Sequence, residues 1–232
     1  MIDKKISIIL STYNEAFIIK KSIDNIFLTL DNVEVILVDD NSIDGTLDIL
    51  QKIEHKNFKF FSRNSRGLAS AFLLGLINTS GDYIGWTDSN MPQLTHHFNQ
   101  MIKKLETYDI VILSRYVNGG GDQRSPMRVF SSKFINFFCR LILGNEIKDY
   151  TSSIFLMRKK VLKYGVPIAY GHGEFFIEFL YKTKKNGMKI CELPYIQPPD
   201  YEGSKTASSI LRFFSLGFSY FVRILIARFR KN

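Results

Sequence analysis

Asp88, Ser89 and Asn90 follow the apolar run YIGWT, which sets a carboxylate and an amide oxygen two residues apart at a strand end. Oxygen donors of this kind suit a hard cation, which can bridge the two phosphates of a nucleotide diphosphate and offset its charge on departure. The same triplet can serve as an Asx-type turn that caps the next helix. A second cluster, Asp39-Asp40-Asn41-Ser42, follows VEVILV and precedes Asp44-Gly45-Thr46. Its carboxylates can accept hydrogen bonds from a ribose hydroxyl or a base N–H, while Asp44 or Thr46 caps a helix. The third set is Arg115, Arg128 and Ser132. Arginine holds phosphate through two parallel bonds and keeps its charge at working pH. Arg128 and Ser132 lie four residues apart, on one face of a helix start, where backbone N–H groups also attract anions. A solvated basic face is the alternative.

A phosphate held by such arginines is already ionised at neutral pH, so chemistry on it would need little or no general base. His172 and Glu174, in GHGE, come nearest to a His–carboxylate pair, although a histidine in a glycine loop is more often structural.

These residues need a scaffold, and the first half alternates strand and helix signals. Ile6–Leu10, Val33–Val38, Phe58–Phe61 and Tyr83–Thr87 read as strands. Phe17–Leu30, Thr46–Ile53 and Ala69–Ile77 read as helices. This alternation predicts an α/β domain with a mostly parallel central sheet flanked by helices. Ligands of such sheets bind beyond the carboxyl ends of the strands, where Ser11–Glu15, Asp39–Gly45 and Asp88–Gln93 all fall. Three polar clusters at one sheet edge describe a pocket. Further on come a strand at Ile110–Leu113, a Gly-rich mobile connector at Asn118–Ser125, and a basic helix at Phe130–Leu143. A strand (Ser153–Met157), a helix (Glu174–Asn186) and a strand (Lys189–Leu193) follow, before Pro194, Pro198 and Pro199 break regular structure.

The bulk composition agrees. Among 232 residues, 31 Lys and Arg against 22 Asp and Glu give +9, which favours phosphate-bearing or anionic-membrane partners. An apolar share of 45% excludes a disordered chain. Cys139 and Cys191 lie far apart without metal spacing, so free thiols in a reducing compartment are expected. Neither a signal peptide nor an apolar stretch long enough to span a membrane is read from the sequence.

The tail carries its own signal. At 100° per residue, Ser208, Arg212, Ser215, Ser219, Arg223 and Arg230 share one face of a helix from Ser208 to Arg230. Phe, Leu, Ile and Val cover the rest. A narrow basic stripe beside a wide apolar face predicts an amphipathic helix lying in a membrane interface, with docking on the protein body or a partner as the alternative. The expected organisation is a catalytic domain over 1–205 and an interface helix over 206–232.

ISIILSTYNE, VILVDDNSIDGT and RGLASAFLLGLINTSGDYIGWTDSN, in this order, resemble the motifs of family 2 inverting glycosyltransferases with the type-A fold. Within that family SRYVNGGG, RVFSSKFINFF, DYTSSIF, GMKICELPY and GSK resemble the branch that glycosylates polyprenyl (dolichyl or undecaprenyl) phosphates. The resemblance implies sugar transfer from a UDP- or GDP-sugar to a polyprenyl phosphate, with Mg²⁺ or Mn²⁺, at the cytoplasmic membrane face. It implies a peripheral enzyme of cell-envelope or glycoconjugate biosynthesis, with no nucleic acid among its partners. A homo-oligomer or a membrane-protein partner is compatible with it. By position, Ser11, Tyr13 and Glu15 would lie at the donor nucleoside, and Asp40, with Asp39 beside it, at its base or ribose. Asp88 and Asn90 would flank the metal, with Ser89 between them and Gln93 nearby. Arg115, Arg128 and Ser132 would hold the acceptor phosphate, and Lys205 would face the donor diphosphate.

Four positions depart from the family pattern. Ser11 stands where proline is usual, Asn90 replaces a carboxylate, and Pro92 displaces a glutamine to Gln93. An arginine expected upstream of GSK is missing from Asp200-Tyr201-Glu202. Two competing expectations are an acceptor that is a glycan hydroxyl, and a non-catalytic homologue that only binds nucleotide or membrane.

Overall fold

The computed structural model describes residues 4–152, 154–166, 171, 173–200 and 210–230, with 210–216 as backbone only. The first half comprises β1 (Ile6–Thr12), α1 (Ile19–Thr29), β2 (Val33–Asp39), α2 (Thr46–Gln51), β3 (Phe58–Ser62), α3 (Leu68–Ile77) and β4 (Tyr83–Trp86). A 3-10 turn at Pro92–His97 leads into α4 (Phe98–Lys104) and β5 (Ile110–Ser114). The second half adds β6 (Gly121–Asp122), α5 (Pro126–Leu143), β7 (Phe155–Arg158), α6 (Phe175–Lys185), β8 (Ile190–Pro194), β9 (Ile196–Gln197) and α7 (Ile210–Phe229).

Seven strands form one sheet in the order β3-β2-β1-β4-β7-β5-β8. All pairings in it are parallel except those of β7, which runs antiparallel to both β4 and β5. β1 and β2 are nearly continuous apolar runs because helices cover both sheet faces. On one face Ile19, Ile23 and Ile26 of α1, Leu50 of α2 and Phe98 of α4 join the core. On the other, Phe72 of α3, Cys139 of α5, Phe176 of α6 and Ile224 of α7 do so. A Cβ on Gly85 would stand 2.2 Å from Leu156, so glycine is what lets β4 and β7 pair this closely.

Polar residues inside the sheet are satisfied in pairs. Ser7 faces Glu34 across the β1–β2 register and donates to its carboxylate at 2.6 Å. Ser80 N–H (2.6 Å) and Lys5 Nζ (2.9 Å) complete that carboxylate's shell.

Three expectations change. The connector at Asn118–Ser125 is pinned by the parallel pairing of β6 with β9. α5 begins at Pro126, one turn before the expected Phe130, because proline suits the first helical position, where its missing N–H costs nothing. Two members of the polar stripe of α7 face the protein, with Arg223 and Arg230 reaching the buried carboxylate of Glu178 on α6 at 3.1 and 3.3 Å, while Ser208 and the side chains of Arg212 and Ser215 lie outside the described residues. A buried carboxylate needs such partners, and that need turns the stripe inward. The outward faces are apolar, with Met127, Phe130, Phe134, Phe137 and Leu141 exposed on α5, and Phe218, Phe221 and Phe229 on α7. No helix among the described residues is long and apolar enough to cross a membrane.

Candidate active site

The strand order reverses between β1 and β4, and a crevice opens beyond their carboxyl ends. The loops after β1 and β2 are laced together there. Asn14, in the left-handed region at φ 55°, accepts from Ile43 N–H at 2.9 Å, and its own N–H donates to Ser42 Oγ at 2.8 Å. Glu15 N–H reaches Thr46 Oγ1 at 3.1 Å and Ala16 N–H reaches Asp44 at 3.0 Å.

Of the two aspartates expected at the nucleoside, Asp39 is fully buried and both its oxygens accept from Ser42. Its carboxylate is committed to shaping the loop. Asp40 is held by Arg63 Nε at 2.6 Å and by Gly67 N–H at 2.9 Å, at the start of α3. The Arg66 guanidinium lies 3.7 Å over the Tyr13 ring. Neither arginine was singled out in the sequence, although both stand in the SRNSRG run before α3.

The Asp88-Ser89-Asn90 triplet folds back onto the β1 loop. Ser89 Oγ donates to Ser11 O at 2.6 Å and to the Glu15 carboxylate, while Ser22 donates to Ser89 O. Ser89 and Glu15 thereby lock the two strand ends together. Burial pushes the Glu15 carboxyl up, hydrogen bonds from Ser89, Thr12 and Asn90 pull it down, and Asp88 adds to the rise; the result is a pKa of about 7. Asp88 is half-buried. Asn90 Oδ1 is buried and has no hydrogen-bond partner among the described residues. An orphaned amide oxygen two residues from a carboxylate fits a hard cation that takes the rest of its oxygens from phosphates and water. Among the described residues no three His, Cys, Asp or Glu side chains cluster around a metal position, so those residues supply only part of such a shell. Gln93 is exposed on the 3-10 turn.

The arginines gather at the end of β5. Arg115 is buried and engages both oxygens of Asp149, through Nε at 2.8 Å and Nη2 at 2.7 Å. Its Nη1 points to Ser132 Oγ at 3.4 Å. Arg124 reaches the same hydroxyl at 2.8 Å and is itself held at both nitrogens by Asp122, at 2.9 and 2.6 Å. Burial would raise the Asp122 carboxyl, but the hydrogen bonds and charge of Arg124, with that of Arg115, hold it below the usual carboxylate range. Arg128, on the first turn of α5, pairs with Asp200. Arg115 thus meets Ser132 together with Arg124, which was not singled out in the sequence, while Arg128 stands one turn before Ser132 on α5. Gly120 lets the loop close over this end of β5, since a Cβ there would stand 2.7 Å from Ser114 O and Arg115 O.

Tyr195 joins the two halves. Its N–H donates to Ser114 O at 3.1 Å, and its hydroxyl donates to Gln197 Oε1 at 2.5 Å. Gln197 in turn donates to Met91 Sδ at 3.4 Å, next to the triplet. Lys205 and His172 lie outside the described residues; Glu174 is buried at the start of α6.

Comparison with known proteins agrees with this architecture. The chain is 31% identical over 203 residues to the dolichol-phosphate mannosyltransferase of Pyrococcus furiosus, covering 82% of this chain and 56% of that protein. It is 27% identical over 198 residues to the polyprenol monophosphomannose synthase of Mycolicibacterium smegmatis, covering 81% and 75% respectively. The chain therefore spans between about half and three quarters of the length of these relatives. The fold superposes on glucosyl-3-phosphoglycerate synthase from Mycobacterium tuberculosis, crystallised with Mn²⁺, UDP and glucosyl-3-phosphoglycerate. The TM-score is 0.73 at 18% identity, over 99% of this chain and 82% of that one. Residues 7–165 match the sequence pattern described as glycosyl transferase family 2, and the chain belongs to that family.

Proposed function

We propose that this protein transfers a sugar from a nucleotide diphosphate-sugar to a polyprenyl phosphate, with inversion, at a membrane surface. The observation that supports this reading best is the meeting of Arg115 and Arg124 at Ser132, beyond the same ends of the strands as Asp88, with Arg128 one turn before Ser132 on α5. Tyr13, Glu15 and Asp40 would border the nucleoside. Asp88 and Asn90 would hold a divalent cation, Mg²⁺ or Mn²⁺, which neutralises the leaving diphosphate. Lys205 would face that diphosphate.

The acceptor phosphate needs no deprotonation. One of its oxygens attacks the anomeric carbon from the face opposite the diphosphate, and the C–O bond to the diphosphate breaks as the new one forms. The cluster serves by orienting that oxygen. Ser132 Oγ accepts from two guanidinium groups, so its own hydrogen is available to an anion. A glycan hydroxyl would need a base here, whereas Asp122 is held ionised by two arginines and is a poor one.

Membrane contact is supported by the outward faces of α5 and α7, which meet where Phe138 packs on Phe221 with ring centroids 5.8 Å apart. Arg128 lies on the first turn of the helix whose exposed phenylalanines would enter the interface. A lipid phosphate at headgroup depth would then lie beside the arginines. In this reading the interface surface is shared between residues 126–143 and the tail, with the catalytic domain ending near 205. A screen of UDP- and GDP-sugars against a short-chain polyprenyl phosphate, with Mg²⁺ or Mn²⁺, tests it. Organic-extractable labelled sugar is the expected product, and donor binding without turnover would mark a non-catalytic homologue.

A further inference from the structure

We infer that Gln197 is a positioning residue that ties the turn bearing Asp88 and Asn90 to the ribbon bearing Asp122 and Arg124. This rests on reading that turn as the metal side of the site and the arginine cluster as its phosphate side.

The turn is short and built by main-chain bonds. Met91 N–H closes it on Asp88 O at 3.4 Å, and Met91 O accepts from Leu94 N–H at 3.1 Å as the 3-10 turn begins. The first half of the chain holds it from one flank, where Asn25 Nδ2 donates to Pro92 O at 3.1 Å and Ser22 donates to Ser89 O. Gln197 reaches it from the second half, donating through Nε2 to Met91 Sδ at 3.4 Å. Met91 follows Asn90 directly and is bonded to the Asp88 main chain, so its side chain is a handle on both candidate ligands.

The ribbon sets where Gln197 stands. β6 and β9 pair in parallel with Asp122 opposite Gln197, and Gln123 N–H donates to Gln197 O at 2.9 Å. Strand alternation turns Tyr195 and Gln197 inward and leaves Ile196 exposed between them. Asp122 holds Arg124, which reaches Ser132. One two-stranded ribbon therefore carries a residue that orients the phosphate cluster and a residue that orients the metal turn. An in-line displacement needs its two ends held at a fixed separation, and a paired ribbon spanning them supplies it.

Both ends of the amide are used. Oε1 accepts from the Tyr195 hydroxyl at 2.5 Å, which leaves Nε2 to face the thioether. A methionine at this position would lose both bonds while keeping the length of the side chain.

The experiment uses the intact chain and measures Mn²⁺ binding by calorimetry in the presence of UDP or GDP. Inorganic phosphate binding and urea unfolding are followed alongside. The proteins are the wild type, Met91→Leu, Gln197→Met and the double variant. Met91→Leu conserves volume and removes the acceptor, so the fold should persist. It should weaken Mn²⁺ binding about three- to tenfold, the worth of one hydrogen bond lost from a preorganised turn. Gln197→Met should weaken it by as much, and the double variant by no more than either, because the two side chains act through one bond. Phosphate binding should not change. Wild-type Mn²⁺ affinity in Met91→Leu would overturn the inference, as would additive losses in the double variant. Lower unfolding stability with metal affinity intact would make Gln197 a packing residue and overturn it likewise. If Gln197→Met does not fold, Met91→Leu alone decides. Sugar transfer to farnesyl phosphate is read in parallel. Weaker Mn²⁺ binding in the variants, with no lipid product from any of the proteins, would leave Gln197's role standing and refute the acceptor assignment.

Discussion

Arg115 grips Asp149 with two parallel bonds, Nε to Oδ2 at 2.8 Å and Nη2 to Oδ1 at 2.7 Å, in a setting where both side chains are closed to water. The pair anchors the guanidinium whose remaining nitrogen points at Ser132. Asp149→Asn leaves that charge buried and half-matched, and should cost about 3–5 kcal/mol of stability. Arg115→Met with Asp149→Leu should recover part of this, because neither charge is then stranded. Urea unfolding of the three proteins checks it; an Asp149→Asn loss under about 1 kcal/mol would contradict the buried pairing.

Metal binding should depend on a single carboxylate. Asp88→Ala should remove Mn²⁺ binding measured by calorimetry in the presence of nucleoside diphosphate, and abolish turnover with the fold intact. Asn90→Asp restores a charged ligand where the orphaned Oδ1 now stands, and should tighten the metal. Weaker binding in Asn90→Asp would place Asn90 away from the cation.

Glu34 should make stability depend on acid. Burial raises its carboxyl, but bonds from Ser7, Lys5 and Ser80 overcome this and hold it at about 2, below the ordinary 4.5 of a glutamate. A folded pKa below the unfolded one contributes stability that is fully present above pH 4.5 and lost as pH falls towards 2. Glu34→Gln should therefore cost about 1–3 kcal/mol at pH 7, allowing for solvent screening, and the gap should narrow below pH 4.5. Denaturant unfolding across that range decides it, and a gap that does not shrink would remove Glu34 from the account.

Membrane attachment should follow the outward phenylalanines. Each one buried in lipid is worth about 1.5–3 kcal/mol, so Phe130→Glu with Phe134→Glu should weaken liposome binding at least about a hundredfold. Both side chains are more than half exposed, so the fold should survive. Deleting the tail is a poorer test than its sequence implies, because Ile224 and Ala227 belong to the core and Arg223 serves Glu178. Co-sedimentation unaffected by the α5 substitutions would assign the apolar face to a protein partner.

Much of this was legible in the sequence because buried parallel strands announce themselves as β-branched runs. Ile6–Leu10 and Val33–Val38 lie within β1 and β2, and the polar clusters after them fall at one sheet edge. Strand direction is not written in composition, so the antiparallel insertion of β7 between β4 and β5 could not be read. The partners of the arginines were hidden for another reason. Asp149 lies 34 residues from Arg115 and Asp200 lies 72 from Arg128, and only the folded chain brings them together. The inward turn of Arg223 and Arg230 was missed likewise, since helical periodicity finds a polar stripe without showing what it faces.

The central claim is that this edge of the sheet joins a nucleotide-linked sugar to a lipid phosphate. Its most direct test is transfer of labelled sugar from UDP- and GDP-linked donors to a short-chain polyprenyl phosphate, read as label entering the organic phase. The wild type should form such a product with at least one donor. Asp88→Ala should form none, and Arg128→Ala should raise the acceptor KM, by ~1.5–3 kcal/mol in kcat/KM, without changing donor binding. Label that reaches only water or a glycan hydroxyl, with the lipid phosphate untouched across the donor panel, would contradict it.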